Sequence, residues 1–131
     1  MIDRILIEID RGLKILSTLP QNNRERPDKD IAESYSLSPS EKKIHSRYMR
    51  VNHSGEVCAQ GLYRGQLFFN KNKDIKNKLT EAAIEEIDHL AWCNSRINEL
   101  DGTKSTLNPF LYISSFSIGA IASIVDEKYN L

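Results

Sequence analysis

Apolar residues recur at Ile2, Ile5, Leu6, Ile9, Leu13 and Leu16, the three-and-four spacing of an amphipathic helix. The stretch "PQNNRERPDKD" at 20–30 breaks that pattern and predicts a polar loop or linker. A second helix is announced by "SPSE": Ser38 as N-cap, Pro39 in the first helical position and Glu41 three residues on form a capping box. It is predicted to run to about Asn70. At about 100° per residue, Met49, Glu56, Gln60, Tyr63 and Leu67 share one face, and Ile44, Val51, Cys58, Leu62 and Phe69 share another, nearly opposite. Two apolar faces predict a helix packed on two sides. Gly55, Gly61 and Gly65 cost helix propensity but allow neighbours to come close.

A third helix is predicted from Asp74, as N-cap, to Leu100, with "DG" at 101–102 as its stop. Its apolar stripe is Ile75, Leu79, Ala82, Ala83, Leu90, Cys93, Ile97 and Leu100. Glu86 falls near the centre of that stripe and His89 on its edge. Glu81, Glu85 and Asp88 fall outside it, on a face expected to be solvated. From Ser105 to Val125 no residue is charged. The length could just span a bilayer, but Asn108 and Pro109 interrupt its start and serines are scattered around it. The segment reads as a helix buried on most sides, or as one dipping into a membrane surface. Gly119, Ala120, Ala122 and Ser123 would permit tight helix contact.

The chain is therefore expected to be all-α. Its 131 residues suffice for one domain with a modest core. Eighteen basic and eighteen acidic residues cancel, which leaves no electrostatic case for nucleic-acid binding. Cys58 and Cys93 form no CxxC pair and read as reduced, buried thiols, which suits a reducing compartment. The charged N-terminus "MIDRILIEIDRG" has no signal-peptide core, which places the chain inside the cell.

The candidate chemistry lies in "EEIDHLAW" at 85–92. A buried carboxylate must be protonated, paired or metal-bound. Glu86 and His89 lie one turn apart, so both side chains reach one point, and carboxylate with imidazole suits iron, manganese or zinc. Carboxylate-bridged metal pairs in four-helix bundles take one Glu from each of two helices and Glu-x-x-His from each of the other two. Glu56 on the preceding helix is the matching lone Glu, with no Lys or Arg one turn away on its face. His53 is expected to hydrogen-bond behind the site or face solvent, and His45 has no evident partner. Cys58 and His53 point about 140° apart and make a poor nucleophile–base pair. No P-loop and no Gly-x-Ser-x-Gly is present.

Three stretches, "MRVNHSGEVCAQGLYRGQ" at 49–66, "EEIDHLAWC" at 85–93 and "LNPFLYISSFSIGAIAS" at 107–123, resemble the Coq7 family of demethoxyubiquinone hydroxylases. The resemblance implies a ferritin-like bundle holding two iron ions. It implies a monooxygenase that hydroxylates 2-polyprenyl-3-methyl-6-methoxy-1,4-benzoquinol in ubiquinone biosynthesis, with dioxygen and reducing equivalents. It also implies a peripheral place on the cytoplasmic face of the cell membrane, with homo-oligomers or other ubiquinone-biosynthesis proteins as partners. By motif, Glu56 and His89 would bind the first iron and Glu86 would bridge both, with no catalytic residue beyond these metal ligands.

The resemblance makes 1–131 a single ferritin-like di-iron domain. It comprises an N-terminal helix and linker (1–36), a ligand-bearing helix pair (37–102) and an uncharged, membrane-facing segment (105–125). The family continues past the equivalent of "DEKYNL" into helices carrying the other Glu and the second Glu-x-x-His, so the chain reads as C-terminally truncated. The alternative reading is a catalytically inactive fragment that associates with membrane or quinone without a complete metal site. A ferritin-like iron store fits poorly with the uncharged segment.

Overall fold

The computed structural model describes residues 1–17, 23–31 and 36–125. Four helices follow in order: α1 (Ile2–Ser17), α2 (Pro39–Phe69), α3 (Lys73–Glu99) and α4 (Asn108–Val125). The described residues contain no strand, so the chain is all-α, and its α2–α3 hairpin is one half of a ferritin-like bundle. The linker at 20–30 is non-helical where described. Its residues 20–22 and the closing "DEKYNL" lie outside the described residues.

The helix ends follow local chemistry. The Glu41 amide donates to Ser38 Oγ (3.2 Å) and the Ser38 amide to Glu41 Oε2 (2.7 Å), which closes the capping box. At α3 the N-cap is Asn72, not Asp74: Asn72 Oδ1 accepts from the amides of Asp74 (3.0 Å) and Ile75 (3.2 Å). Asp74 sits within the first turn, where its charge favours the helix N-terminus. The α3 C-terminus closes as a Schellman turn. Asp101 takes the left-handed conformation (φ 56°), and Gly102 N–H donates to Ile97 O (2.9 Å).

α2 is the hub, packed against α3 on one side and α4 on another, with α1 laid over the α2–α4 groove. Val57, Leu79, Leu90 and Ile97 are fully buried, and Ile15, Val57, Leu90 and Tyr112 join all four helices in one cluster. The second apolar face expected on α2 packs only in part: Cys58 and Leu62 are half-buried, whereas Ile44, Val51 and Phe69 are exposed. α4 chooses the glycine strip instead. A Cβ on Gly65 would lie 2.0 Å from Phe116 O, and one on Gly119 would lie 2.2 Å from Leu62 O. Backbone-to-backbone approach at this range excludes bulky side chains, so the small residues, not the large apolar ones, select the contact. Gly55 takes no part and has open space around it.

The surface also departs from expectation. α1 packs through Gly12, Ile15 and the half-buried Glu8, whose carboxylate receives Arg64 Nε at 3.0 Å. Its apolar stripe of Ile2, Leu6, Ile9 and Leu13 faces outward. α4 is not buried on most sides. Phe110, Ile113, Ile118, Ile121, Ile124 and Val125 are each 61–70% exposed, whereas Asn108, Tyr112, Gly119, Ala120 and Ser123 face inward. α4 is long and apolar enough to cross a membrane. Its inner face lies directly on α2, a helix bearing Arg50 and Arg64, charges that would be costly to carry into hydrocarbon.

A buried polar joint fixes the start of α4. Asn108 Oδ1 accepts from Ser54 Oγ (2.8 Å), so its amide nitrogen is the group facing His53 Nδ1 (3.2 Å). That contact requires an unprotonated Nδ1, hence a neutral imidazole. Burial, aided by Lys104, lowers the His53 pKa from 6.5 to about 4. The folded state therefore binds fewer protons than the unfolded chain between those two values. Stability should fall as pH drops from about 6.5 to about 4 and then lose this slope. Urea midpoints across that window check it: His53→Gln should flatten the decline, and an unchanged slope would remove His53 as its source.

Candidate metal centre

Glu56 projects from the middle of α2, and Glu86 and His89 project from the middle of α3. Register between the helices is set partly by Gln60, whose buried amide donates to Ala83 O (2.7 Å) one turn from both carboxylates. The result brings the three sequence-predicted side chains together. One donor atom from each of Glu56, Glu86 and His89 lies within 4.8 Å of the others.

The electrostatics are those of crowded donors. His89 Nδ1 lies 3.0 Å from Glu86 Oε2. Burial and the neighbouring Glu86 push Glu56 up to about 8, while hydrogen bonds from Glu56 and then His89 hold Glu86 below its ordinary value. The two carboxylates thus share one proton. Two carboxylates and an imidazole are a suitable donor set for iron, manganese or zinc, and a divalent ion would take the place of that proton. Tyr63 lies in the same field, its pKa raised by burial and by Glu86 and Glu56. Cys93 beside them is pushed up to about 11, so it remains a thiol. Cys58 and Cys93 are both unpaired, and both are half-buried rather than buried.

The surroundings include residues that periodicity misplaces. Asp88 is not solvated but 2% exposed. It receives the Asn23 amide (2.6 Å) and Arg24 Nε (2.6 Å), which straps residues 23–31 across α3. Its partner lies more than sixty residues upstream, so no local pattern could have announced it. Trp92 extends the strap towards the site: its indole nitrogen donates to Arg24 O (3.2 Å), and its ring centroid lies 5.3 Å from that of His89. Arg26 and Asp28 line the cleft above Glu56 and His89. His53 packs behind α2 against Asn108 and takes no part in the triad, and His45 is exposed. On the other side of α2, an apolar groove of about 450 Å³ is lined by Ile9, Leu13, Phe68, Tyr112, Ile113 and Phe116.

Comparison with known proteins places these features. Residues 43–131 match the family described as ubiquinone biosynthesis protein COQ7. The chain is 45% identical over 131 residues to a protein of Chromobacterium violaceum and 45% identical over 130 residues to one of Nitrosospira multiformis. It is 44% identical over 133 residues to one of Legionella pneumophila strain Corby. All three relatives are named 3-demethoxyubiquinol 3-hydroxylase. The matches cover 99–100% of this chain and 62–63% of the relatives, so the chain spans less than two thirds of their length. No solved structure matches the chain.

Proposed function

Because the chain belongs to the Coq7 family of ubiquinone-biosynthesis proteins, we propose that it carries part of a di-iron quinol monooxygenase of the 3-demethoxyubiquinol 3-hydroxylase type. The observation that carries this reading is the convergence of Glu56, Glu86 and His89 within 4.8 Å on two adjoining helices. These residues would hold iron, with Glu86 between Glu56 and His89 as the shared carboxylate. Bound iron would supply the activation of dioxygen that side chains cannot perform. The substrate is 2-polyprenyl-3-methyl-6-methoxy-1,4-benzoquinol.

The chain's own contribution is positional. Burial of Glu56 and the hydrogen bonds to Glu86 make Glu86 the more acidic carboxylate and leave the proton on Glu56, from which a bound metal ion would displace it. Trp92 limits the rotation of His89. The outward apolar faces of α1 and α4 form a surface suited to the membrane interface, where a polyprenyl substrate resides. These faces support peripheral membrane attachment, for which we propose the cytoplasmic face of the cell membrane.

Those same faces favour a second reading, a membrane- or quinone-associating fragment without stoichiometric metal. One experiment separates the two. The chain is reconstituted with Fe(II) without oxygen, sedimented with phospholipid vesicles and analysed for iron. The enzyme reading expects both vesicle binding and stoichiometric iron. Vesicle binding with no retained iron would overturn it in favour of the fragment.

A further inference from the structure

We propose that Arg24 is a positioning residue for the candidate metal centre: through Asp88 and Trp92 it holds the His89 imidazole against Glu86. This rests on the reading of Glu56, Glu86 and His89 as metal ligands.

The order of side chains round α3 is the first argument. At 100° per residue, Asp88, Trp92, His89 and Glu86 stand at about 0°, 40°, 100° and 160°. His89 is therefore flanked by Glu86 on one side and Trp92 on the other. Helical side chains lean towards the N-terminus, so Trp92 lies over the turn that bears His89, and His89 over the turn that bears Glu86. The distances agree. His89 Nδ1 lies 3.0 Å from Glu86 Oε2, and the rings of His89 and Trp92 are 5.3 Å apart and tilted by 45°. An imidazole that swung away from Glu86 would meet the indole.

A half-buried indole can hold its neighbour only if its own rotamer is fixed, and Arg24 fixes it in two ways. The Trp92 indole N–H donates to Arg24 O (3.2 Å), and the Arg24 guanidinium carbon lies 5.3 Å from the centre of the ring. The Arg24 side chain is itself 52% exposed and stands on a non-helical strap, so it needs an anchor. Asp88 is that anchor. Its Oδ2 accepts from Arg24 Nε (2.6 Å), and its Oδ1 accepts from the amides of Asn23 (2.6 Å) and Arg24 (3.4 Å).

This account also explains a buried aspartate inside the ligand motif. Asp88 points about 160° away from Glu86, so it is not a fourth metal donor. It belongs to a separate stripe of Asp88, Trp92, Ser95 and Glu99, which span about 60° of the helix. Arg26 continues the strap along that stripe, reaching Ser95 Oγ (3.3 Å) and Glu99 Oε1 (2.6 Å). The strap thus follows α3 directly beside the ligands, and Trp92 is where the two stripes touch.

Charge and position predict opposite signs at Arg24. A cation near a cation site opposes binding, so through charge alone Arg24→Ala would tighten it. If Arg24 holds Trp92, and Trp92 holds His89, the same substitution weakens it.

Cobalt(II) is a suitable probe, because its visible absorption registers the bound ion and its ligands. The chain has one tryptophan, so indole emission reports Trp92 alone. In the 131-residue chain, Arg24→Ala should keep the helical circular dichroism and make Trp92 more accessible to acrylamide quenching. It should weaken Co(II) binding about tenfold, the low end of what the loss of an outer-shell group costs, and shift the visible bands of the bound ion. Trp92→Ala should weaken binding to a similar degree. Adding Arg24→Ala to Trp92→Ala should cost nothing further, because the two residues act along one path. Arg24→Gln, which keeps a donor beside Asp88, carries the same test should the alanine variant not fold. Unchanged or tighter Co(II) binding in a folded Arg24 variant, or losses that add in the double variant, would overturn the positioning role and leave the three ligands standing. No Co(II) retained by the unsubstituted chain would overturn the ligand reading, and the positioning role with it.

Discussion

Glu86→Ala should abolish metal retention without destabilising the metal-free protein. Glu86 is the group that both Glu56 and His89 contact, the latter at 3.0 Å. Truncation removes one donor outright and frees the other two to turn away from each other. The loss should exceed the ~10–100-fold that follows from losing a group that merely orients a ligand. Stability of the metal-free protein should change little. The hydrogen bonds that Glu86 receives from Glu56 and His89 are lost, but so is the charge that holds the proton on the half-buried Glu56. Iron content after gel filtration and thermal melting of the metal-free protein check the two halves. Retained iron would remove Glu86 from the ligand set. A large drop in melting temperature would make Glu86 a structural residue, with the loss of iron a secondary effect.

The second large effect is expected at Gly65. The new methyl of Gly65→Ala would lie 2.0 Å from Phe116 O and 2.9 Å from Ala120 N, both backbone atoms with no rotamer to escape into. α4 has to move away as a body, taking Tyr112 out of the four-helix cluster. Overpacking costs about 1–3 kcal/mol, and this contact belongs at the upper end. A loss near ~3 kcal/mol should lower the melting temperature by roughly 10 °C or more. Gly55→Ala is the matched control. Nothing lies within 4 Å of its added methyl, so it should stabilise α2 by up to ~1 kcal/mol through helix propensity. Equal effects at the two positions would show that the glycine strip does not set the α2–α4 distance.

These two sites also show what can be read from a sequence. The triad was legible because its residues sit one turn apart, on one stripe, on consecutive helices: spacing alone converts to direction. The capping box at Ser38 was legible for the same reason, since donor and acceptor lie three residues apart. Which face of α2 receives α4 was not legible. Hydropathy marks Ile44, Val51 and Phe69 as the second packing face, whereas the contact is decided by where a Cβ is missing. α1 was read correctly as amphipathic but packs through Glu8, Gly12 and Ile15 and leaves its apolar stripe outside. A periodic pattern names the apolar face but not what covers it, protein or lipid. Asp88 fails differently, because its meaning depends on a partner far away along the chain.

The strap bears on how the chain acquires its structure. Contacts between α2 and α3 form across a turn of three residues, whereas Asp88 must capture Asn23 and Arg24 across a loop of more than sixty residues. Closing the longer loop carries the greater entropic penalty, so it follows the hairpin in time. The bond also presupposes a formed α3, because only a helix presents Asp88 on the outer side from Glu86. α1 and the strap therefore dock onto a finished hairpin. They should also be the first part to come away when the protein opens locally, before the three candidate ligands separate.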